Sequence, residues 1–120
     1  MSANEKDPKK ILNNLVELPG VTAVTVIGRD GFIIESSSSD DVDLDALGAV
    51  VSTGFGAAEV MGTEIQLGYL TQTIMEYDLG KILTASCGDN ILAVVTKPNA
   101  VIGSIRHQIK KVIANLSKLI

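Results

Sequence analysis

The 120-residue chain contains no tryptophan, and its aromatic residues are limited to two phenylalanines and two tyrosines. Proteins that read single-stranded nucleic acid stack the bases on aromatic side chains, so this composition gives little material for such a platform. The net charge of −4 also disfavours contact with a phosphate backbone. We therefore expect no nucleic-acid partner.

Cysteine and histidine occur once each, as Cys87 and His107. A lone cysteine can form neither an intrachain disulfide nor a zinc site built from several thiolates. No acidic residue stands beside Cys87 or His107 at a spacing that would orient a catalytic base. A lone cysteine at the end of a predicted strand is more typical of packing than of catalysis.

Motifs for metal or phosphate binding are also missing. Asp41, Asp43 and Asp45 have the alternate spacing of a calcium loop, but Ala46 and Ser52 occupy the positions where that loop needs Gly and Glu. Acidic residues at the start of a helix are explained by the helix dipole alone. The chain contains no Walker phosphate loop, HExxH or GxSxG motif. We therefore expect no metal, no cofactor and no enzymatic activity.

Long apolar runs are absent as well. None approaches the roughly 20 residues of a membrane span, and the first ten residues, MSANEKDPKK, are largely polar, unlike a secretory signal. A chain of this length fits one domain with its own core. We expect a single domain over residues 1–120, with residues 1–7 as a flexible tail, located in the cytoplasm and without membrane insertion.

The hydrophobic periodicity predicts the element order α-β-β-α-β-β-β-α. The expected elements are a helix opened by Asp7-Pro8, strands 21–27 and 32–36, a surface loop 36–40, a central helix 44–63, one long strand 64–77, strands 81–87 and 91–96, and a last helix capped by Asn99. The Asp30-Gly31 pair between two strand-like runs is a strong hairpin signal. Short connections favour an α+β fold, a five-stranded antiparallel sheet with helices on both faces.

The central helix is apolar on more than one side. Its first stripe, expected to face the core, comprises Leu44, Leu47, Val51, Phe55, Ala58 and Met61. Its second stripe, of small or β-branched residues, comprises Ala46, Val50, Thr53, Ala57 and Val60. A helix with more than one apolar stripe is either buried or in contact with a partner. The second stripe therefore predicts association with another protein chain.

Glycines inside the same helix support that interpretation. Each costs about 1 kcal/mol relative to alanine, and the helix holds Gly48, Gly54, Gly56 and Gly62. Close approach of another backbone would account for them. Gly54-Phe55-Gly56 faintly resembles a dinucleotide-binding turn, but it lies within a helix and lacks the third glycine of that motif.

Taken together, these features resemble the Roadblock/dynein light-chain family and, within it, the MglB-like regulators of Ras-like GTPases. The resemblance covers nearly the whole chain, and its most specific part is the segment GDNILAVVT at 88–96, followed by NAVIG at 99–103 and a final helix. The Ala/Gly-rich central helix and the hairpin followed by Phe32-Ile33-Ile34 also fit. The resemblance implies a Roadblock-like, profilin-like architecture.

The resemblance further implies a dimer in which the third strands pair edge to edge and the central helices lie side by side. Either a homodimer or a heterodimer with a paralogue fits this arrangement. The expected interface residues are Ala46, Val50, Thr53, Ala57, Val60, Leu67, Tyr69, Thr71, Thr73 and Met75. Such a dimer would act as a non-catalytic regulator of a Ras-like small GTPase, which itself would hold nucleotide and magnesium.

Only a narrow polar strip would then remain outward on the central helix. Its residues Asp45, Ser52, Gly56 and Glu59 are the expected GTPase-binding residues, although a solvated helix face explains them equally well. A different class of function is a small-ligand sensor of the PAS or profilin-like type, which would need a cavity with convergent polar or aromatic groups. A filled core in a constitutive dimer favours the regulator, and a monomer with an internal pocket favours the sensor.

Overall fold

A computed structural model describes residues 5–120. The elements are α1 (Pro8–Val16), β1 (Val21–Ile27), β2 (Ile33–Ser38), α2 (Leu44–Glu64), β3 (Gln72–Tyr77), β4 (Gly80–Cys87), β5 (Asn90–Thr96) and α3 (Ile102–Leu119). The five strands form one sheet in the order β2-β1-β5-β4-β3, and every neighbouring pair is antiparallel. The predicted element order and fold class are confirmed, and β2 and β3 are the edge strands.

One face of the sheet is covered by α1 and α3. Alternate residues of the central strands point to this face, among them Val24 and Val26 of β1 and Leu92 and Val94 of β5. They pack against apolar side chains that the helical period brings to one side of α1 and α3. These helix residues are Ile11, Leu12, Leu15, Ile105, Ile109, Val112 and Leu116. This larger cluster forms the main core.

The opposite face of the sheet carries α2 alone. Val51 and Phe55 are buried against Ile27, Ile91 and Ala93, which belong to the middle strands β1 and β5. C-terminal to Phe55, no residue of α2 is buried. Strand β3 therefore lies open on this face, and β4 does so only in part, because Thr84 is buried and Ile82 is half-buried.

The prediction of one long strand over residues 64–77 is wrong for the first half of that range. Helix α2 continues to Glu64, and a loop follows before β3 begins at Gln72. The Leu67 amide donates to the Gly62 carbonyl at 2.8 Å, and the loop backbone has positive φ values of 59° at Gln66 and 86° at Gly68. Glycine adopts such an angle without strain at position 68, and the left-handed backbone at Gln66 is the conformation that commonly ends a helix, so the chain turns here instead of extending.

Two smaller expectations also differ from the structure. The serine run predicted as a loop extends β2 to Ser38, because backbone pairing with β1 does not require apolar side chains. Helix α3 begins after Val101, which has no side-chain cap, so Asn99 does not cap it. In contrast, Asp7 caps α1 as predicted, its carboxylate accepting from the Lys9 amide at 3.0 Å.

The expected tail at residues 1–7 is only partly described. Residues 1–4 lie outside the described part of the chain. The Glu5 carbonyl accepts a 2.7 Å hydrogen bond from the Asn115 amide on α3, and Asp7 caps α1. The flexible tail stays a prediction.

The length and hydropathy of α2 can be compared with the expectation that no apolar segment is long enough to span a membrane. Within residues 5–120 it is the single helix that is long and apolar enough to cross a membrane, with a mean hydropathy of 1.2. By this measure of length and composition the expectation is wrong. The measure is a weak indication of a span, because core helices of soluble proteins meet it too. Here Val51 and Phe55 of α2 are buried in the domain's own core.

The glycines of α2 make a stability prediction. A Cβ at Gly48 would stand 2.6 Å from the Gly31 carbonyl oxygen, whereas a Cβ at Gly56 would meet nothing within 4 Å. We expect Gly48→Ala to lower the free energy of unfolding by about 1–3 kcal/mol through overpacking. Gly56→Ala should instead raise it by up to about 1 kcal/mol through helix propensity.

Chemical denaturation at one fixed protein concentration measures both variants. If Gly48→Ala were as stable as the original protein, the close approach of α2 to the β1–β2 turn would be contradicted.

Candidate protein-interaction surface

The exposed apolar side chains concentrate in one region of the molecule. Of thirteen exposed large apolar residues in the described chain, ten lie between positions 50 and 79. They are Val50, Val60, Met61, Ile65, Leu67, Tyr69, Ile74, Met75, Tyr77 and Leu79. Val50, Met75 and Tyr77 line one groove, and clustered apolar surface marks an interaction site more often than isolated exposed residues do.

A groove of about 310 Å³ runs between α2 and the open strands. Its α2 side is formed by Leu47, Val50, Gly54 and Ala58, with Val51 and Phe55 below, and its strand side by Thr73, Met75, Tyr77, Ile82 and Thr84. Strand β3, which borders the groove, is an edge strand, and its outer edge has no partner strand in the described part of the chain. Unpaired edges and apolar grooves both favour contact with another chain.

The predicted dimer-interface residues fall into three places. Val50, Thr73 and Met75 line the groove. Ala46, Thr53, Ala57 and Val60 are exposed, and the helical period places them on the side of α2 opposite Val51 and Phe55, pointing away from the sheet. Leu67, Tyr69 and Thr71 belong to the loop before β3, where they border a smaller apolar hollow with Met61 and Ile65.

The predicted polar strip lies along a flank of α2 that faces the β1–β2 turn. A Cβ at Gly31 of that turn would contact the Ser52 hydroxyl at 3.2 Å. The Glu59 carboxylate is ion-paired with Arg29 of the same turn. Asp45 is exposed and Gly56 half-exposed. Ser52 and Glu59 therefore contact the chain's own hairpin.

Arg29 is a residue that sequence reasoning missed. Its guanidinium pairs with both carboxylate oxygens of Glu59, the Nη2–Oε2 distance being 3.2 Å. Its Nε donates to the Asp89 carbonyl oxygen at 3.0 Å, and the group lies 5.1 Å from the ring centroid of Phe55. Arg29 thus ties α2 to two turns of the sheet. Its partners lie 30 and 60 positions away, so no local pattern could indicate them.

Cys87 has the properties of a packing residue. Its side chain is 1% exposed within the main core, and burial raises the pKa of the thiol to about 11. His107 is exposed on α3. Within residues 5–120 no three His, Cys, Asp or Glu side chains gather where they could hold a metal ion.

The chain is similar in sequence to known proteins. The profile of the Roadblock/LC7 domain matches residues 9–97, which is well over half of the sequence. The chain therefore belongs to the Roadblock/LC7 family. An uncharacterised protein of Methanocaldococcus jannaschii is 38% identical to it over 102 residues, covering 85% of this chain and 86% of that protein.

Solved structures share the whole fold. MglB of Myxococcus xanthus matches with a TM-score of 0.85 and 18% identity, covering 93% of both chains. An MglB with a tetrameric arrangement gives a TM-score of 0.85 and 15% identity over 96% of this chain and 91% of that one. Profilin IB of Acanthamoeba castellanii gives 0.62 and 16% identity over 88% and 92%. These matches confirm the predicted Roadblock-like, profilin-like architecture.

The Arg29 contacts predict a small but specific contribution to stability. Both side chains of the Arg29–Glu59 pair are partly exposed, which limits the ion pair to about 0.5–1 kcal/mol. We expect Glu59→Gln to lower the free energy of unfolding by about this amount. As a matched control, Glu76→Gln should have no measurable effect, because Glu76 is 70% exposed and 4.0 Å from Lys81. Equal effects of the two changes in urea denaturation would contradict a special role for Arg29.

Proposed function

We propose that this chain is a dimeric, non-catalytic adaptor that binds a Ras-like small GTPase in the cytoplasm and modulates its nucleotide state or its location. The observation that carries the proposal is the apolar groove beside the unpaired edge of β3, which the chain itself leaves open. Membership of the Roadblock/LC7 family supports it, since the resemblance to MglB-like regulators implies a dimer and a GTPase partner.

The dimer forms by pairing of the two β3 edges, which joins both sheets into one. A two-fold axis then brings the α2 helices side by side over the open strands, so that each groove receives the neighbouring helix. The groove-facing side of α2 supplies the seam through Leu47, Gly54 and Ala58. Gly54 fits this role because a Cβ there would meet nothing within 4 Å in the protomer. A heterodimer with a paralogue would use the same surface.

The GTPase docks on the outward side of α2. Ala46, Thr53, Ala57 and Val60 of both copies form a shallow apolar surface there, with Asp45, Ser52 and Gly56 along its rim. Glu59 is already paired with Arg29, so its role is to hold α2 in place rather than to meet a basic group of the partner. Small side chains allow a close contact over a wide area, as a partner with mobile switch loops requires.

Regulation follows from differential binding rather than from chemistry supplied by this chain. A dimer that binds one conformation of the GTPase switch loops more tightly shifts the population towards that conformation. The GTPase provides the nucleotide site, the magnesium ion and the catalytic groups.

The second candidate function is a small-ligand sensor, which the same groove could serve. Its volume is at the low end of ordinary ligand pockets, which begin at about 300 Å³. Its polar groups include the Thr73 and Thr84 hydroxyls, which are hydrogen-bonded to each other. An apolar ligand in the groove of a monomer and a partner helix in a dimer exclude each other, so the oligomeric state decides between the two functions.

Gly54→Glu tests the dimer seam. The new side chain meets open space in the protomer but would place an unpaired carboxylate in the seam, at a cost of several kcal/mol. We expect a dimer for the original chain at micromolar concentration and a folded monomer for Gly54→Glu, measured by light scattering and circular dichroism.

Ala57→Glu is the matched control, because Ala57 is exposed and does not line the groove, and this variant should stay dimeric. A dimer that is lost in Ala57→Glu and kept in Gly54→Glu would mean that the helices meet through the outward stripe instead. A monomeric original chain that binds an apolar ligand would favour the sensor.

Ala57→Glu also tests the docking surface. We expect affinity capture from lysate of the source organism to retain a Ras-like GTPase, and the purified pair to bind with at least tenfold lower affinity when Ala57 is replaced by Glu. Ala114→Glu, the same change on the exposed side of α3, should leave the affinity unchanged. If calorimetry gave equal affinities for Ala57→Glu and the original chain, the GTPase would dock elsewhere.

A further inference from the structure

Charge is strongly segregated along this chain. Residues 30–80 contain ten acidic residues and no lysine or arginine. Residues 90–120 contain five basic residues and no acidic residue. The first of these segments carries α2 and the second carries α3, and these helices cover opposite faces of the sheet. The net charge of −4 therefore conceals an acidic helix α2 and a basic helix α3.

The basic residues of α3 form a strip on its outer side. At 100° per residue, Arg106, Lys110, Lys111 and Lys118 fall within one arc, together with the exposed His107 and Ala114. The strip runs about 18 Å along the helix axis from Arg106 to Lys118. The side-chain amide of Gln72 on β3 turns its oxygen towards Arg106, and this oxygen accepts hydrogen bonds from the guanidinium. The three lysines are exposed, and in the described part of the chain none of them forms an ion pair.

Neighbouring elements do not neutralise this strip. Residues 5–17, which include α1 on the same face, contribute three acidic and three basic residues and thus no net charge. Glu35 of β2 and Glu76 of β3 also lie on this face, and each is paired with a lysine outside α3, Lys9 and Lys81. The acidic residues of α2 lie across the sheet, and the shortest extent of the molecule is 26 Å. The Debye length at physiological salt is about 8 Å, so these acidic residues of α2 are screened from anything that touches α3.

The composition of the strip restricts its partner. All four aromatic residues lie outside α3, so no base-stacking group is present for nucleic acid. The exposed side of α3 presents no large apolar residue between Ile102 and Leu119, whereas protein interfaces depend on a desolvated apolar or aromatic centre. What remains is a low, purely basic ridge. We propose that this ridge binds the headgroups of an anionic membrane surface, with the domain lying on the surface and not inserted.

The proposed dimer would strengthen this contact, and this step alone rests on the proposed function. Joining two sheets at β3 keeps both copies of α3 on one side of the continuous sheet and both copies of α2 on the other. The dimer would then present eight basic residues of α3 to the membrane, within the range where polybasic clusters bind anionic lipids. The outward side of α2 would face the cytoplasm.

Vesicle sedimentation with the purified full chain, without any GTPase, tests the proposal. The probes are vesicles of phosphatidylcholine alone and of phosphatidylcholine mixed with phosphatidylglycerol. We expect binding to the mixed vesicles only, and loss of that binding at high salt. Lys110→Gln combined with Lys111→Gln should reduce binding by about thirtyfold per protomer. Lys110→Arg combined with Lys111→Arg should retain it.

Two single changes of equal charge provide the matched comparison. Ala114→Glu places a carboxylate within the strip and should weaken vesicle binding about fivefold. Ala57→Glu places it on the opposite face and should have no effect. No binding to the mixed vesicles, or equal weakening by both changes, would overturn the proposal. It would also be overturned by tighter binding to duplex DNA or polyglutamate than to the mixed vesicles. Vesicle binding that survives in the monomeric Gly54→Glu variant would support the ridge independently of the dimer.

Discussion

The main constraint on this structure is that the single helix α2 is too narrow to cover its face of the five-stranded sheet. A helix is about 10 Å wide and each strand adds about 4.8 Å, so α2 covers about two of the five strands. Val51 and Phe55 seat it on β1 and β5, and Arg29 ties it to the turns beside them. The other face has two helices and is closed. Strand β3 and part of β4 are left uncovered on the α2 side.

This incomplete cover explains features that otherwise look unrelated. The alternate residues of β3 and β4 that would face a helix, such as Thr73, Met75 and Thr84, line a groove instead. Val50, Met75 and Tyr77 are exposed for the same reason. A second helix in that position would complete the layer, and a two-fold axis supplies one without additional sequence. In the proposed dimer, the apolar character of α2 on several sides would follow from its having one side for the core and two for partners.

Local rules predicted the elements that depend on local chemistry. The cap at Asp7, the hairpin at Asp30-Gly31 and the buried strands β1 and β5 were all evident from neighbouring residues. The loop 65–71 was mistaken for strand because its exposed apolar residues alternate like those of a sheet edge. Helical periodicity correctly placed Val51 and Phe55 on the core side of α2, but it also placed Met61 there, which is 69% exposed. It could not tell which stripe flanks the groove, because that depends on where the helix sits relative to strands encoded elsewhere.

The distribution of charge over the fold matters more than the net charge. A net charge of −4 argues against anionic partners only if the charge is spread evenly. In this fold the sheet separates the acidic residues of α2, which are Asp45, Glu59 and Glu64, from α3, which carries basic residues and no acidic one. Since screening acts over about 8 Å and the molecule is at least 26 Å across, each face meets its surroundings with its own sign. The charge of one face, rather than the net charge of the chain, therefore decides which partners that face can bind. The folded topology determines which residues lie on the same face.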